Sequence, residues 1–187
     1  HLLLCCCVAF AIGQEFKRNT FAEWVNPQQI VSSFLGKILV YVCIFCFWTW
    51  SWMFWLAHIR GYFIAGSLSL ILIAQFLLYF AYAVISSTVV LATKDLPKTF
   101  GFIALYGGSS PSFSGITLPL NNAPAFTQFW SMIIPYTPYA KLQTEQWVIG
   151  SDLWVSLLPF GILIIFSALY FALSIRLLRK NTQEQRS

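Results

Sequence analysis

Charge is scarce in this sequence. Of 187 residues only 9% are Asp, Glu, Lys or Arg, and His1 and His58 are the only histidines. The six carboxylates form no close pair, there is no His cluster, and no nucleophile stands near a base, so an enzyme site has little to be built from. His58 has no partner at ligand spacing and reads as an interfacial side chain beside Arg60. No carboxylate, Lys or Arg falls in the middle of a long apolar run, which argues against a proton relay or an ion-coupled carrier. A phosphate-binding loop is missing too. Gly36-Lys37 would need a Gly at position 31 and a Ser or Thr at 38, and Val31 and Ile38 stand there. Lys37 reads instead as a snorkelling cation where a helix leaves the interface. Cys43-x-x-Cys46 lies in an apolar run with no His or carboxylate near it, which suits small side chains of a lipid-embedded helix better than a metal or redox site. No cofactor is expected.

What is abundant is grease: 58% of the chain is hydrophobic and 18% aromatic, more apolar surface than a soluble domain of this size can cover. Five apolar blocks stand out: Leu2–Ile12, Phe34–Ala57, Tyr62–Ala92, Phe100–Leu118 and Leu153–Leu173. The last four are long enough to cross a hydrocarbon core of about 30 Å as helices. Tyr62–Ala92 exceeds that thickness and should tilt or run past the interface. Leu2–Ile12 is short for a span and lacks the basic flank and cleavage site of a signal peptide. It reads as the end of a span that starts before the sequence, and the chain as a piece of a longer protein. Trp48, Trp50, Trp52 and Trp55 suit an aromatic belt, and Gln75 a helix–helix hydrogen bond.

The basic residues are spread between the apolar blocks, so the net charge of +5 points to membrane topology rather than to nucleic acid. With the 14–37 connection, the 93–99 connection and the tail after Ser174 on one side, that side holds Lys17, Arg18, Lys37, Lys94, Lys98, Arg176, Arg179, Lys180 and Arg186. The other holds Arg60 and Lys141. The positive-inside rule makes the first side cytoplasmic. Asp95, between Lys94 and Lys98, reads as a locally paired loop charge, and Glu145 and Asp152 as solvated loop residues on the outer side.

Residues 119–149 are too apolar for a solvated loop and too rich in proline for one span. Phe126, Phe129, Trp130 and Ile133 recur at helical spacing, with Thr127, Gln128 and Ser131 on other faces. Asn122 suits the cap of this helix, Pro124 its first turn and Pro135 its end, with a second short helix over Tyr139–Ile149. The pattern predicts a re-entrant helical hairpin, the alternative being an interfacial loop resting on headgroups. The expected fold is thus an all-α polytopic membrane protein. It is a single transmembrane domain of five membrane segments, the first truncated, with helices at 34–57, 62–92, 100–118 and 153–173 and the hairpin before the last.

Such a chain offers passages through a membrane but no energy source, so a transporter of this kind would draw on a cytoplasmic partner. Residues 14–25 are the place to look: as a helix, Phe21, Trp24 and Val25 share a face with Lys17 and Arg18 off it, although Phe16 interrupts the separation. An interfacial helix without a partner is the alternative. Two stretches resemble the permease subunit of ABC-2 type transporters, also called type V exporters. One is Glu15-Phe-Lys-Arg-Asn-Thr20 followed by Pro27 and Leu35-Gly36-Lys37. The other carries Ser114-Gly115, Pro119, Pro124, Pro135 and Thr137. Asn19 stands where the family usually has Gly, a place an Asn backbone tolerates.

The resemblance implies a permease of a bacterial inner membrane, without catalytic residues of its own. It implies two permease copies or halves paired with two cytoplasmic ABC ATPase subunits, in contact with membrane lipid. It makes 14–25 a coupling helix, with Glu15, Lys17, Arg18 and Thr20 carrying contact to the ATPase. It also makes the hairpin an outer gate, with Pro119, Pro124, Phe126, Phe129, Trp130, Ile133 and Pro135 forming or sealing it. The cargo stays open, because the family's first span and extracellular domain are not in this sequence. Two further classes remain: a membrane-embedded enzyme acting on lipid or a lipid-linked sugar, and a scaffold for another membrane complex.

Overall fold

The computed structural model describes residues 1–18, 20–25, 29–116 and 123–184, apart from the side chains of Phe21 and Ala22. Among these residues there are helices, turns and loops and no strand. In order they are α1 (Leu2–Arg18), α2 (Phe21–Trp24), α3 (Ile30–His58), α4 (Leu68–Thr93), α5 (Leu96–Gly108) and α6 (Ser110–Phe113), then α7 (Ala125–Met132), α8 (Tyr136–Thr144), a π turn at Glu145–Ile149, and α9 (Leu153–Glu184).

Helix α4 is the axis of the bundle, packed against α1, α3, α5, α8 and α9. Its seam with α9 is a regular ladder. Ser167 Oγ donates to the Leu77 carbonyl at 3.4 Å, Ser174 Oγ to the Val84 carbonyl at 3.0 Å, and Asn181 Nδ2 to the Leu91 carbonyl at 2.9 Å. Both sets of residues repeat every seven positions in the same order, so α4 and α9 run parallel. The heptad step keeps one stripe of small side chains on the seam, and small side chains let two backbones approach closely.

Other contacts fix the remaining directions. Ser86 Oγ of α4 donates to the Cys5 carbonyl at 2.7 Å, while Gly13 lies against Leu96 beyond the end of α4. Helix α1 is therefore parallel to α4. Helix α3 runs the other way: Phe34 packs on Phe171, with ring centroids 5.9 Å apart, and Thr49 reaches Tyr79, oxygen to oxygen 2.7 Å. Helix α5 also opposes α1, with Leu96 at Gly13 and Gly107 near Leu2. One end of the bundle consequently gathers Lys17, Arg18, Lys37, Lys94, Lys98, Arg176, Arg179 and Lys180. Arg60 and Lys141 are at the other. Arg186 lies outside the described residues.

Helices α3, α4 and α9 are long and apolar enough to cross a membrane. The block 62–92 is not one helix: α4 begins at Leu68, capped by Ser67, whose Oγ accepts from the Leu70 amide. The six residues before it are not helical, so the excess length is absorbed by unwinding as well as by any tilt. The block 100–118 also divides differently. Asp95 caps α5 through the Lys98 amide, with Pro97 in the first turn, and the helix starts at Leu96. It ends at Gly107-Gly108, after 13 residues, where two glycines and then Pro111 weaken helix propagation. Thr117 and Leu118 lie outside the described residues. The tail expected after Ser174 continues α9 to Glu184, because Ser174, Leu178 and Asn181 are buried against α4.

The corner between α4 and α5 is tight. Lys94 takes a left-handed backbone, φ 52°, a conformation that costs a side-chain-bearing residue about 1 kcal/mol or more. Its ammonium pairs with Glu184 at 2.6 Å, tying the corner to the end of α9. Asp95 pairs with Lys98 at 3.4 Å, and the Lys98 amide and ammonium hold its carboxyl below the ordinary value.

Candidate functional site

At the basic end, Glu15 is the centre of a clasp. It stands on the last turn of α1. Thr20 Oγ1 donates to Glu15 Oε2 at 2.5 Å, and the Thr20 amide donates to the Glu15 carbonyl at 3.1 Å. The Lys37 ammonium, from the second turn of α3, donates to Glu15 Oε1 and also sits 4.1 Å above the Trp24 ring. The side chains of Lys37 and Glu15 are 17% and 21% exposed. One carboxylate therefore joins the end of α1, the turn after it, α2 and the start of α3, by charge-assisted hydrogen bonds and a cation–π contact.

The single helix expected over 14–25 is divided. Nothing in 14–18 breaks a helix, so α1 runs on to Arg18, and α2 is one turn only. Asn19 and Pro27 lie outside the described residues, as does the Phe21 side chain of the expected apolar face. Val25 is fully buried in the core. Lys17 and Arg18 point to solvent on the last turn of α1, where cations suit the helix dipole. Of the four residues singled out, Glu15 and Thr20 are in the clasp and Lys17 and Arg18 flank it. Lys37 takes part through Glu15 rather than by snorkelling alone. Trp24 was legible only as part of an apolar face.

Partial burial pushes the Glu15 carboxyl upward. Hydrogen bonds from Lys37 and Thr20, with the charges of Lys37 and Arg18, outweigh it and hold the group below the ordinary carboxylate value. A depressed folded pKa means the clasp stabilises fully above the unfolded pKa and weakens as pH falls through the folded one. Function that depends on it should be flat between about pH 6 and 8. A transport titration with an inflection in that window that vanishes in Glu15→Gln would contradict this.

At the opposite end, the hairpin region packs on the bundle, but α7 is turned relative to its apolar stripe. Trp130 docks: its Nε1 donates to Ser109 Oγ at 3.1 Å and its ring meets Tyr106 and Phe113 at 6.3 and 6.4 Å. Ile133 also packs inward, and its carbonyl accepts from Tyr106 Oη at 2.5 Å. Phe126 stacks on Trp130 at 5.9 Å yet stays 65% exposed, Phe129 is 60% exposed, and Ser131 is buried. Pro124 takes the cap position of α7. Pro135 precedes α8, which begins at Tyr136 rather than Tyr139. Pro119 and Asn122 lie outside the described residues.

The residue that organises this end is Gln146, which the sequence gave no reason to choose. Its carbonyl accepts from the Gly66 amide at 2.8 Å and its Oε1 from the Ser67 amide at 2.9 Å. Its Nε2 donates to the Ser151 carbonyl and to Ser156 Oγ, each at 3.0 Å. Ser156 in turn donates to Glu145 Oε2 at 2.8 Å. Glu145 is therefore buried rather than solvated, and Asp152 is exposed. A side chain on Gly66 would meet the Gln146 backbone, with its Cβ 2.9 Å from the carbonyl oxygen and 3.2 Å from Cα. Gly66→Val should destabilise the protein by about 1–3 kcal/mol, read as a lower midpoint of thermal unfolding in detergent, whereas Gly36→Val meets open space and should change it far less.

The expected interfacial aromatics are on α3, with His58 edge-on to Phe54 at 4.4 Å and Arg60 over Trp55 at 5.5 Å. Gln75 Nε2 donates to Tyr79 Oη at 3.3 Å within α4, and Tyr79 carries the bond on to Thr49 of α3. Among the described residues no group of His, Cys, Asp and Glu could hold a metal.

Long apolar helices with exposed hydrophobic faces, joined at polar seams, make this a multi-pass helical membrane protein. A family model described as an ABC-2 family transporter protein matches residues 4–176, and the chain belongs to that family. No curated protein and no solved structure matches the chain. Membership makes it a membrane component of a transporter family.

Proposed function

We propose that this chain is the permease part of an ATP-driven exporter, that it forms a translocation path with a second copy or half, and that a separate cytoplasmic ATPase drives it. The observation that carries this reading is the Glu15 clasp at the basic end. A contact made at α2 would reach α1 and α3 together, since one carboxylate ties all three. Coupled movement of packed helices is how a small displacement at a docking site becomes a change of state. The concentration of cations at that end supports a cytoplasmic placement. On this reading α1, α3, α4, α5 and α9 are membrane segments, Glu15, Lys17, Arg18 and Thr20 face or brace the ATPase, and the hairpin closes the outer side. Trp130 and Ile133 anchor that hairpin, leaving Phe126 and Phe129 to face the path or a second copy.

Affinity purification of the full-length protein tests the reading. It should bring down an ATP-binding cassette ATPase whose hydrolysis rate changes on association. Turnover of a lipid substrate by the protein with no ATPase present would replace this reading with that of a membrane enzyme.

A further inference from the structure

A cavity lies between the hairpin and α9. It holds about 300 Å³, and its lining includes Ser131, Met132, Thr137, Lys141, Leu158 and Ile162. Lys141 is its only ionisable lining residue. On a regular α-helix the partner for Lys141 would be Glu145, four residues on. The backbone keeps that register, with the Glu145 amide bonded to the Lys141 carbonyl, but the Glu145 side chain is buried and accepts from Ser156 instead. Lys141 has no ion pair among the described residues. An exposed cation is thus left at the rim of a largely apolar cavity, beside two hydroxyls, Ser131 Oγ and Thr137 Oγ1, that lie 3.3 Å apart.

The cavity opens onto the apolar surface of a membrane helix. Leu158, Ile162, Ile165 and Leu169 form a continuous stripe along α9, with exposures of 67, 37, 66 and 61%. From Leu158 to Leu169 the stripe is about 16 Å long, close to half of a hydrocarbon core of about 30 Å. A ligand that fits has an anionic head for Lys141, acceptors for the hydroxyls, and a chain that follows the stripe through one leaflet.

We propose that this cavity binds an anionic phospholipid, its phosphate on Lys141 and one acyl chain along Leu158–Leu169. The bilayer is the source, because a free anion in water would leave the apolar walls and the stripe unused. The inference rests on the proposed placement of the hairpin at the membrane surface, and not on the ATPase.

The test is native mass spectrometry of the full chain in a neutral detergent, titrated with phosphatidylglycerol or phosphatidylcholine. Wild type should retain phosphatidylglycerol preferentially. Lys141→Gln should weaken that retention roughly fivefold, as expected for one surface cation, and Lys141→Arg should keep it. Lys98→Gln, at the opposite end, should leave it unchanged. Equal retention by Lys141→Gln and wild type would overturn the proposal, and so would equal losses in Lys141→Gln and Lys98→Gln. Displacement of the lipid by millimolar inorganic phosphate would make this a phosphate site and overturn the lipid assignment. ATPase capture is read separately. A preference for phosphatidylglycerol without an ATPase leaves this inference standing, and an ATPase without the preference removes this inference alone.

Discussion

Replacing Glu15 and Arg18 together with Ala in the full-length protein should cut transport by about tenfold or more while leaving membrane insertion and ATP hydrolysis in place. The expectation follows from what each side chain does. Without Glu15, the Lys37 ammonium loses its acceptor in a site where it is only 17% exposed, and Thr20 loses the oxygen its hydroxyl donates to. Hydrogen bonds to charged groups are worth about 1.5–3 kcal/mol each, so the tie between α1, α2 and α3 becomes slack. Arg18 is exposed on the last turn of α1, where it can reach a partner directly, and its charge also steadies Glu15. Neither residue belongs to the buried hydrophobic core that α3, α4 and α9 share, so folding and insertion should survive. Hydrolysis would continue in the ATPase, but its strokes would no longer move the helices as a unit. Glu15→Asp should retain part of the activity, and Lys98→Ala, at a local surface pair, should retain all of it. Transport by the double mutant at the wild-type rate and normal expression would show that the clasp has no part in coupling.

The second large effect is expected at Ser174. This side chain is fully buried in the parallel seam of α4 and α9, donating to the Val84 carbonyl and lying 2.8 Å from Thr88 Oγ1. Ser174→Leu would replace the hydroxyl with three further carbons at a fully buried point where the side chain already meets the Val84 carbonyl and Thr88. Overpacking of this kind costs about 1–3 kcal/mol. Because Ser167 and Asn181 sit on the same seam one heptad either way, separating the helices at the middle should weaken those bonds as well. Ser174→Ala removes only the hydrogen bonds, and interhelical bonds in membrane proteins average about 0.6 kcal/mol. The pair of variants therefore separates packing from polarity. The unfolding midpoint in detergent should fall steeply for Leu and slightly for Ala. Equal effects would mean that the seam is held by hydrogen bonding and not by close approach.

How much of this was readable beforehand varies along the chain. Phe34–Ala57 and Leu153–Leu173 are long, predominantly apolar runs, and each lies inside one helix, α3 and α9. Tyr62–Ala92 looked just as uniform but begins with six residues outside the helix, because the Gly66 and Ser67 amides are satisfied by Gln146, eighty residues on. Hydropathy cannot register a bond of that kind. In the hairpin, periodicity named Phe126, Phe129, Trp130 and Ile133 as one face. The chain half-buries Trp130, whose indole finds Ser109, and it buries Ser131 while leaving Phe126 and Phe129 outside. In water that choice would be costly; with the hairpin placed at the membrane as proposed, an aromatic ring exposed to hydrocarbon is at no disadvantage, and the inward face need not be the greasier one.

The sequence by itself determined that this chain is a bundle of apolar helices and which end of it carries the cations. Both follow from local rules, since a helix in lipid satisfies its own backbone and loop charge sets its direction. Tertiary structure decided which polar groups meet: Lys37 with Glu15 across 22 residues, Gln146 with Ser67 across 79, and Ser174 with Val84 across 90. A buried donor must find an acceptor, but its own sequence carries no record of which one, because that depends on how whole helices pack.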